Sequence, residues 1–448
     1  MDMEWWKRMN TVLDYIEDNL DGEIQDNKIA ALFVSSQGVF QRFFSMTTEM
    51  PLSEYIRKRR LTQAAHDIVN TDVKIIDVAV KFNYDSAKAF STAFKQFHGI
   101  TPSEARMPGM QVQSFQRFTF AQALSISGGS DMQIVNVSEK GKKKMWQYLG
   151  DESDAFFTRA NSFMAKYADL WKLTNIRPIS PASDGNIVFS CDSELYGACV
   201  LYMYMNSVEN EVKFLNIYGG KGYCKLYAHS LEDNVLLVEK ITPGICLWDA
   251  VVDFRERARI VAELVKDLPI PHEIGDLPTY GSWMEGIHNI LTEMGGLDDV
   301  LFYLNKAIEI YVELKQRYPR NCLLDANLQR HNLLLNESGS FTITDPQSVV
   351  DDPIMLTARF LNNETPNTLM DLTPNDESRI REMAAIIGSI TEVPADDVLK
   401  SMFIDDALSN CWTLDEFYHF PKREGLEETK KNVLKSCGFV YGLIQSTM

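Results

Sequence analysis

The stretch Leu323–Gln347, LLDANLQRHNLLLNESGSFTITDPQ, gathers carboxylates and amides in an order suited to chemistry on phosphate. A polar loop is followed by a hydrophobic strand, a turn, a second strand and then Asp345-Pro346. Phosphoryl transfer needs a group that accepts the proton of the attacking hydroxyl, oxygens for magnesium and a cation on the phosphates. Where an aspartate would serve as the base, this loop has Asn327. An amide cannot take that proton, and its presence removes general-base assistance of about 10²–10⁴-fold. The loop has the outline of a reactive site without its base.

A second set of residues suits recognition rather than reaction. SSQGVFQRFFSMTTEMPLSE (35–54) and DSAKAFSTAFKQFHGITPSE (85–104) repeat Ser36/Ser86, Phe40/Phe90, Phe44/Phe94, Ser53/Ser103 and Glu54/Glu104 at one fixed offset. In each copy a serine able to cap a helix precedes phenylalanines four apart, which share one helical face. A short amphipathic segment stands before each copy, DNKIAALFV (26–34) and IIDVAVKFNY (75–84). In the second turn Asn83 suits the left-handed conformation that usually calls for glycine.

Helix, tight turn and phenylalanine-anchored second helix is helix-turn-helix geometry. The outward face of the first reading helix then carries Gln37, Gly38, Gln41 and Arg42, and that of the second Ala87, Lys88, Ser91 and Thr92. Such side chains suit base edges and phosphates of double-stranded DNA. Between the copies, residues 51–70 predict one long helix opened by Pro51. As a strut it would hold the reading helices about one DNA turn, ~34 Å, apart. Within its run Arg57–Arg60, Arg60 is expected to be structural; the others read equally as a solvated basic face or as phosphate contacts.

Residues 8–107 resemble the AraC/XylS-type DNA-binding domain, on the strength of EYIRKRRLTQAA, IIDVAVKFNY, AFSTAFKQFHG and ITPSEAR. The departure is Asn83-Tyr84, where that family usually has Gly-Phe. The resemblance implies sequence-specific promoter binding and transcriptional control by a neighbouring sensor domain.

The chain has 448 residues, 45% of them apolar and 24% charged, a globular composition with length for several domains. No apolar run approaches the ~18 residues of a membrane span. Seven scattered cysteines without a CxxC pair suit reduced, cytoplasmic thiols. The net charge of −18 is uneven: residues 1–107 carry −2 and the remainder −16. A nearly neutral part can bind DNA through one basic face, while the acidic part should stay off phosphates. The expected organisation is multidomain: an all-α double helix-turn-helix domain (1–107), a Gly/Ser-containing linker (108–151) and an α+β bilobal, protein-kinase-like domain (152–448). Strands are expected around 185–205, a helix in 207–220, a strand running into a turn over 234–244 and one amphipathic helix over 296–318.

Residues 155–420 resemble the aminoglycoside phosphotransferase-like kinases, nearest to the streptomycin and hydroxyurea group. The carrying residues are LLVEKITPG, LLDANLQRHNLLL, FTITDPQSVVDDP, ARFLNNE and DESRIREMAAIIGSITE. The resemblance implies that Asp325, Ala326 and Asn327 replace the histidine, glycine and catalytic aspartate of the family's loop. It also implies that the magnesium residues are kept as Asn332 and Asp345. Tyr202 stands where the phosphate-binding lysine belongs, and Glu211 where that lysine's partner would be. The expected protein is therefore a ligand-responsive regulator, not an enzyme, with a candidate cleft at Glu211, Asn327, Asn332 and Asp345. Retained Mg²⁺ or nucleotide binding and plain loop bracing account equally for Asn332 and Asp345. Promoter DNA and a small-molecule effector are the expected partners. The competing readings are a bifunctional protein with residual small-molecule phosphotransfer, using Asp325 or Asp345 as base, and a scaffold serving homodimer formation.

Overall fold

The computed structural model describes residues 5–33, 40–41, 44–45, 50–107, 110–115, 117, 153–179, 186–204, 206–273, 275–364, 374–419 and 425–445. The chain forms two compact units, residues 1–123 with 248–254, and residues 124–247 with 255–448. Trp248–Phe254, within the span expected as one body over 152–448, is grouped with the first unit.

In the first unit the described helices are α1 (Trp5–Glu17), α2 (Asp26–Phe33), α3 (Leu52–Asn70), α4 (Ile75–Lys81), α5 (Ala87–His98) and α6 (Pro102–Ala105). They build two apolar clusters rather than one. Val12, Leu13, Ile16, Ile29, Phe33, Phe40 and Phe44 form the first. Val78, Ala79, Phe82, Phe90 and Phe94 form the second. The strut α3 supplies Leu52 and Tyr55 to one and Leu61, Ala64, Ala65 and Ile68 to the other. Pro51 caps its start in extended conformation, as its fixed φ favours. At its far end Asn70 Nδ2 donates to Val252 O, and Phe254 N donates to Asn70 Oδ1, both at 3.2 Å.

The second unit opens with α7 (Ser153–Leu170) and an antiparallel sheet of β1 (Leu173–Pro178), β2 (Asn186–Ser193), β3 (Gly197–Tyr204), β4 (Leu226–Ser230) and β5 (Val235–Glu239), ordered β1-β2-β3-β5-β4. Strand alternation sends Leu201 and Met203 of β3 into a core with Tyr167 and Trp171. Tyr202 and Tyr204 therefore face the other way. Helix α8 (Glu209–Tyr218) follows β3. The expected strand over 234–244 divides into β5 and β6 (Pro243–Cys246), and β6 pairs with β9 (Leu333–Asn336), itself paired with β10 (Phe341–Ile343). A third sheet joins β7 (Ile270–Pro271), β8 (Cys322–Asp325) and β11 (Ser348–Asp351). The amphipathic helix expected at 296–318 spans Asp298–Arg317, among longer helices at Tyr280–Met294, Pro374–Thr391, Ala395–His419 and Leu426–Gln445. The loop Asp325–Leu333 is thus held by a strand at each end.

All seven cysteines are unbridged. Among the described residues no helix is long and apolar enough to cross a membrane. The linker over 108–151 lies almost wholly outside the described residues.

Candidate reading helix and kinase-like cleft

Helix α5 is specified at both ends. The Ser86 side chain accepts from Ala89 N at 3.1 Å, and Gly99 closes the helix with φ 80, a left-handed cap that glycine adopts with least strain. Phe90, Phe94 and His98 are buried, so the opposite face turns out. On that face Lys88 and Thr92 are exposed, while Ala87 and Ser91 are half-buried. The Thr92 hydroxyl donates to Lys88 O at 2.9 Å, which leaves only its acceptor capacity outward. Two further exposed positions, Ala89 and Gln96, belong to the same face. The four-residue spacing Lys88–Thr92–Gln96 is the signal by which Gln96 was findable. Of the first reading helix, Gln41 is described and exposed; Gln37, Gly38 and Arg42 lie outside the described residues.

The basic run of α3 turns largely inward. Arg60 is structural, donating to Leu20 O (2.9 Å) and Gly22 O (2.7 Å). Arg59 departs from the solvated or phosphate-facing role: it is buried and forms a two-point pair with Glu17, Nε–Oε1 3.0 Å and Nη2–Oε2 2.9 Å. Arg57 pairs with Glu54 through two 2.8 Å bonds. His98 is buried within the first unit, with Nε2 3.1 Å from Leu61 O and Nδ1 accepting from Gln113 N at 3.1 Å. Accepting at Nδ1 requires the neutral ring, and burial pushes its pKa down to about 4.

In the kinase-like unit the loop residues converge on Asp345. Asn327 Nδ2 donates to Asp345 O at 2.8 Å and lies 3.4 Å from its Oδ2, while Asn327 Oδ1 accepts from Gln329 Nε2 at 2.9 Å. Asn332 Nδ2 donates to Asn327 O at 3.1 Å. Tyr204, unmarked by sequence reasoning, donates its hydroxyl to Asp345 Oδ1 at 2.8 Å. Its ring stacks on Tyr202, with centroids 5.8 Å apart and planes at 17°. Burial, then the Asp345 charge, pushes both phenols well above their ordinary range. Burial likewise pushes Glu211 up to about 6, with Asp345 adding to the effect. Asp345 itself takes φ 54.

Asp325 closes β8 at the start of the loop. It is 1% exposed, and its Oδ1 accepts from Asn327 N (2.7 Å) and Gln347 N (2.9 Å). Burial pushes its pKa up to about 7 against those two bonds. Among the described residues no group of three or more His, Cys, Asp or Glu could hold a metal ion. Magnesium at Asp345 would meet the Tyr204 hydroxyl on Oδ1 and the Asn327 amide 3.4 Å from Oδ2.

Two family models match the chain: a helix-turn-helix domain over residues 29–107 and an aminoglycoside/hydroxyurea antibiotic resistance kinase over residues 197–416. The HTH-type transcriptional activator AarP of Providencia stuartii is 36% identical over 99 residues, 22% of this chain and 73% of that protein. The transposon Tn10 TetD protein of Escherichia coli is 38% identical over 95 residues, 21% of this chain and 69% of that protein. Among solved structures, choline kinase LicA from Streptococcus pneumoniae aligns with TM-score 0.46 and 12% identity over 63% of this chain and 99% of that one. The chain belongs, through its N-terminal part, to the AraC-type helix-turn-helix regulators, and carries an aminoglycoside phosphotransferase-like kinase domain behind it.

Proposed function

We propose that this protein is a promoter-binding regulator whose kinase-like domain binds a small-molecule effector without transferring phosphate. One observation carries the second half: Asp345, the residue a kinase would turn on magnesium, is tied to the Tyr204 hydroxyl and the Asn327 amide. With Tyr202 in the lysine position, neither proton acceptance nor charge stabilisation is provided for. An effector changes DNA affinity only by binding two conformations of the chain unequally. Coupling of that kind is commonly about 5–150-fold.

Lys88 and Gln41 are the side chains most available for base contact. Replacing either by alanine lowers specific affinity by about 1–3 kcal/mol if the contact is bidentate. The test of the non-catalytic reading is a phosphotransfer assay of the full chain with ATP and streptomycin-like acceptors. It is expected to give no turnover; product formation abolished by Asp345→Ala would replace this reading with a bifunctional enzyme. Thermal-shift measurements with nucleotides, aminoglycosides and magnesium then identify the effector class, since a ligand of the folded state raises stability by mass action.

A further inference from the structure

A single helix joining two reading units fixes their distance but not how each is turned about it. In this chain three hydrogen bonds meet at the turn after α1 and close that freedom. Arg60, midway along α3, donates to Leu20 O at 2.9 Å and to Gly22 O at 2.7 Å. Asn83, in the turn between α4 and α5, donates its Nδ2 to the same Gly22 O at 3.0 Å. One carbonyl of the first reading unit thus receives both the strut and the second reading unit.

Asn83 does this from φ 61, a left-handed conformation in which glycine is least strained and asparagine is among the few tolerated side chains. Glycine would make the turn equally well but has nothing to donate. Asn83 is also exposed, so water would satisfy its amide, and burial does not demand the bond. The bond spans 61 residues of sequence, from one unit to the other. Alongside it, Gln41 of the first reading helix lines one groove with Arg57, Arg60, Asn83 and Tyr84, so the clamp and a candidate DNA contact share one surface depression.

We propose that Asn83 is a positioning residue for DNA recognition, clamping the second helix-turn-helix to Gly22 so that the two reading helices match one fixed spacing of operator segments. This rests on the reading that both units engage one duplex. Free of the clamp, the second helix-turn-helix would accommodate operators whose halves are displaced by a base pair.

The experiment uses the full chain and an operator selected by it from random DNA, together with versions carrying one base pair inserted or removed between the protected segments. Wild type is expected to lose tenfold or more on either change. Asn83→Gly keeps the left-handed turn and removes the donor. Asn83→Asp keeps the side-chain size and sets an acceptor against Gly22 O. Both variants should bind the correct operator roughly three- to ten-fold more weakly, the worth of one exchanged hydrogen bond. Their penalty for altered spacing should shrink to about two- to three-fold, with circular dichroism unchanged. Wild-type spacing discrimination in either variant would overturn the proposal, as would loss of helix in Asn83→Gly, which would make Asn83 a folding residue instead. A wild-type chain that binds but tolerates both spacings would overturn it too, whereas failure to select any operator would overturn the DNA-binding reading itself.

Discussion

Asn327 and Tyr202 show how a sequence marks positions that depart from a motif it otherwise resembles. Each stands in a motif whose chemistry fixes the residue type needed, so the wrong type is visible without coordinates. Tyr204 was not visible, because its partner Asp345 lies 141 residues away and nothing local marks a strand tyrosine as a donor. Asp325 shows the same limit: nothing local in the sequence marks that one of its carboxylate oxygens accepts from the backbone of Asn327 and Gln347. The cleft yields a sharp expectation for Asn327→Asp. The change deletes a donor and sets a second carboxylate where the amide lies 3.4 Å from Asp345 Oδ2. Like charges that close cannot both ionise freely, so the penalty is largest at high pH and fades when one proton is shared. Thermal melts should show a lowered midpoint at pH 8 and a smaller deficit at pH 5. No phosphotransfer should appear, because Tyr202 remains in the lysine position.

At the scale of elements, α5 is capped by Ser86 and keeps Lys88 and Thr92 exposed on its outer face. Ser86→Ala removes the bond to Ala89 N and should destabilise by about 1 kcal/mol, with weaker operator binding from a frayed first turn around Lys88. Chemical denaturation and anisotropy titration of the same preparation check both effects. Helices α3 and α5 were legible from phenylalanine spacing, Pro51 and the serine cap, since these signals are local. The fate of Arg59 was not legible, because its partner Glu17 is 42 residues distant and a run of arginines looks alike whether paired or solvated. For the same reason the split of residues 234–244 into β5 and β6 was hidden: β6 exists through pairing with β9, a strand far along the chain.

For the whole molecule, the two units should respond to acid in opposite senses. His98, held neutral with its pKa near 4, binds its proton more readily when unfolded, so its contribution to the DNA-binding unit is lost as pH falls from about 6.5 towards 4, partly offset by Asp67, which burial pushes up. Asp325 and Asp406 are pushed up to about 7 by burial, so they stay protonated in the fold and ionise on unfolding. The kinase-like unit therefore gains stability as pH falls from about 7 to 4, each group contributing up to about 3 kcal/mol over that window. Calorimetry at pH 5 and pH 8 should show the lower-pH scan weakening one transition and strengthening the other, and Asp406→Asn should flatten the second response. The pairing of the arginines in α3 also bears on how operator binding responds to salt. Arg59 and Arg57, paired with Glu17 and Glu54, have their charge partly balanced within the chain and should release fewer counterions from DNA than free arginines. With each neutralised phosphate contributing about −0.9 to the log–log salt slope, about two to four contacts from exposed lysines such as Lys88 and Lys95 would give a slope of roughly −2 to −4. Operator binding should survive a rise in potassium chloride that strips more heavily charged regulators from their sites.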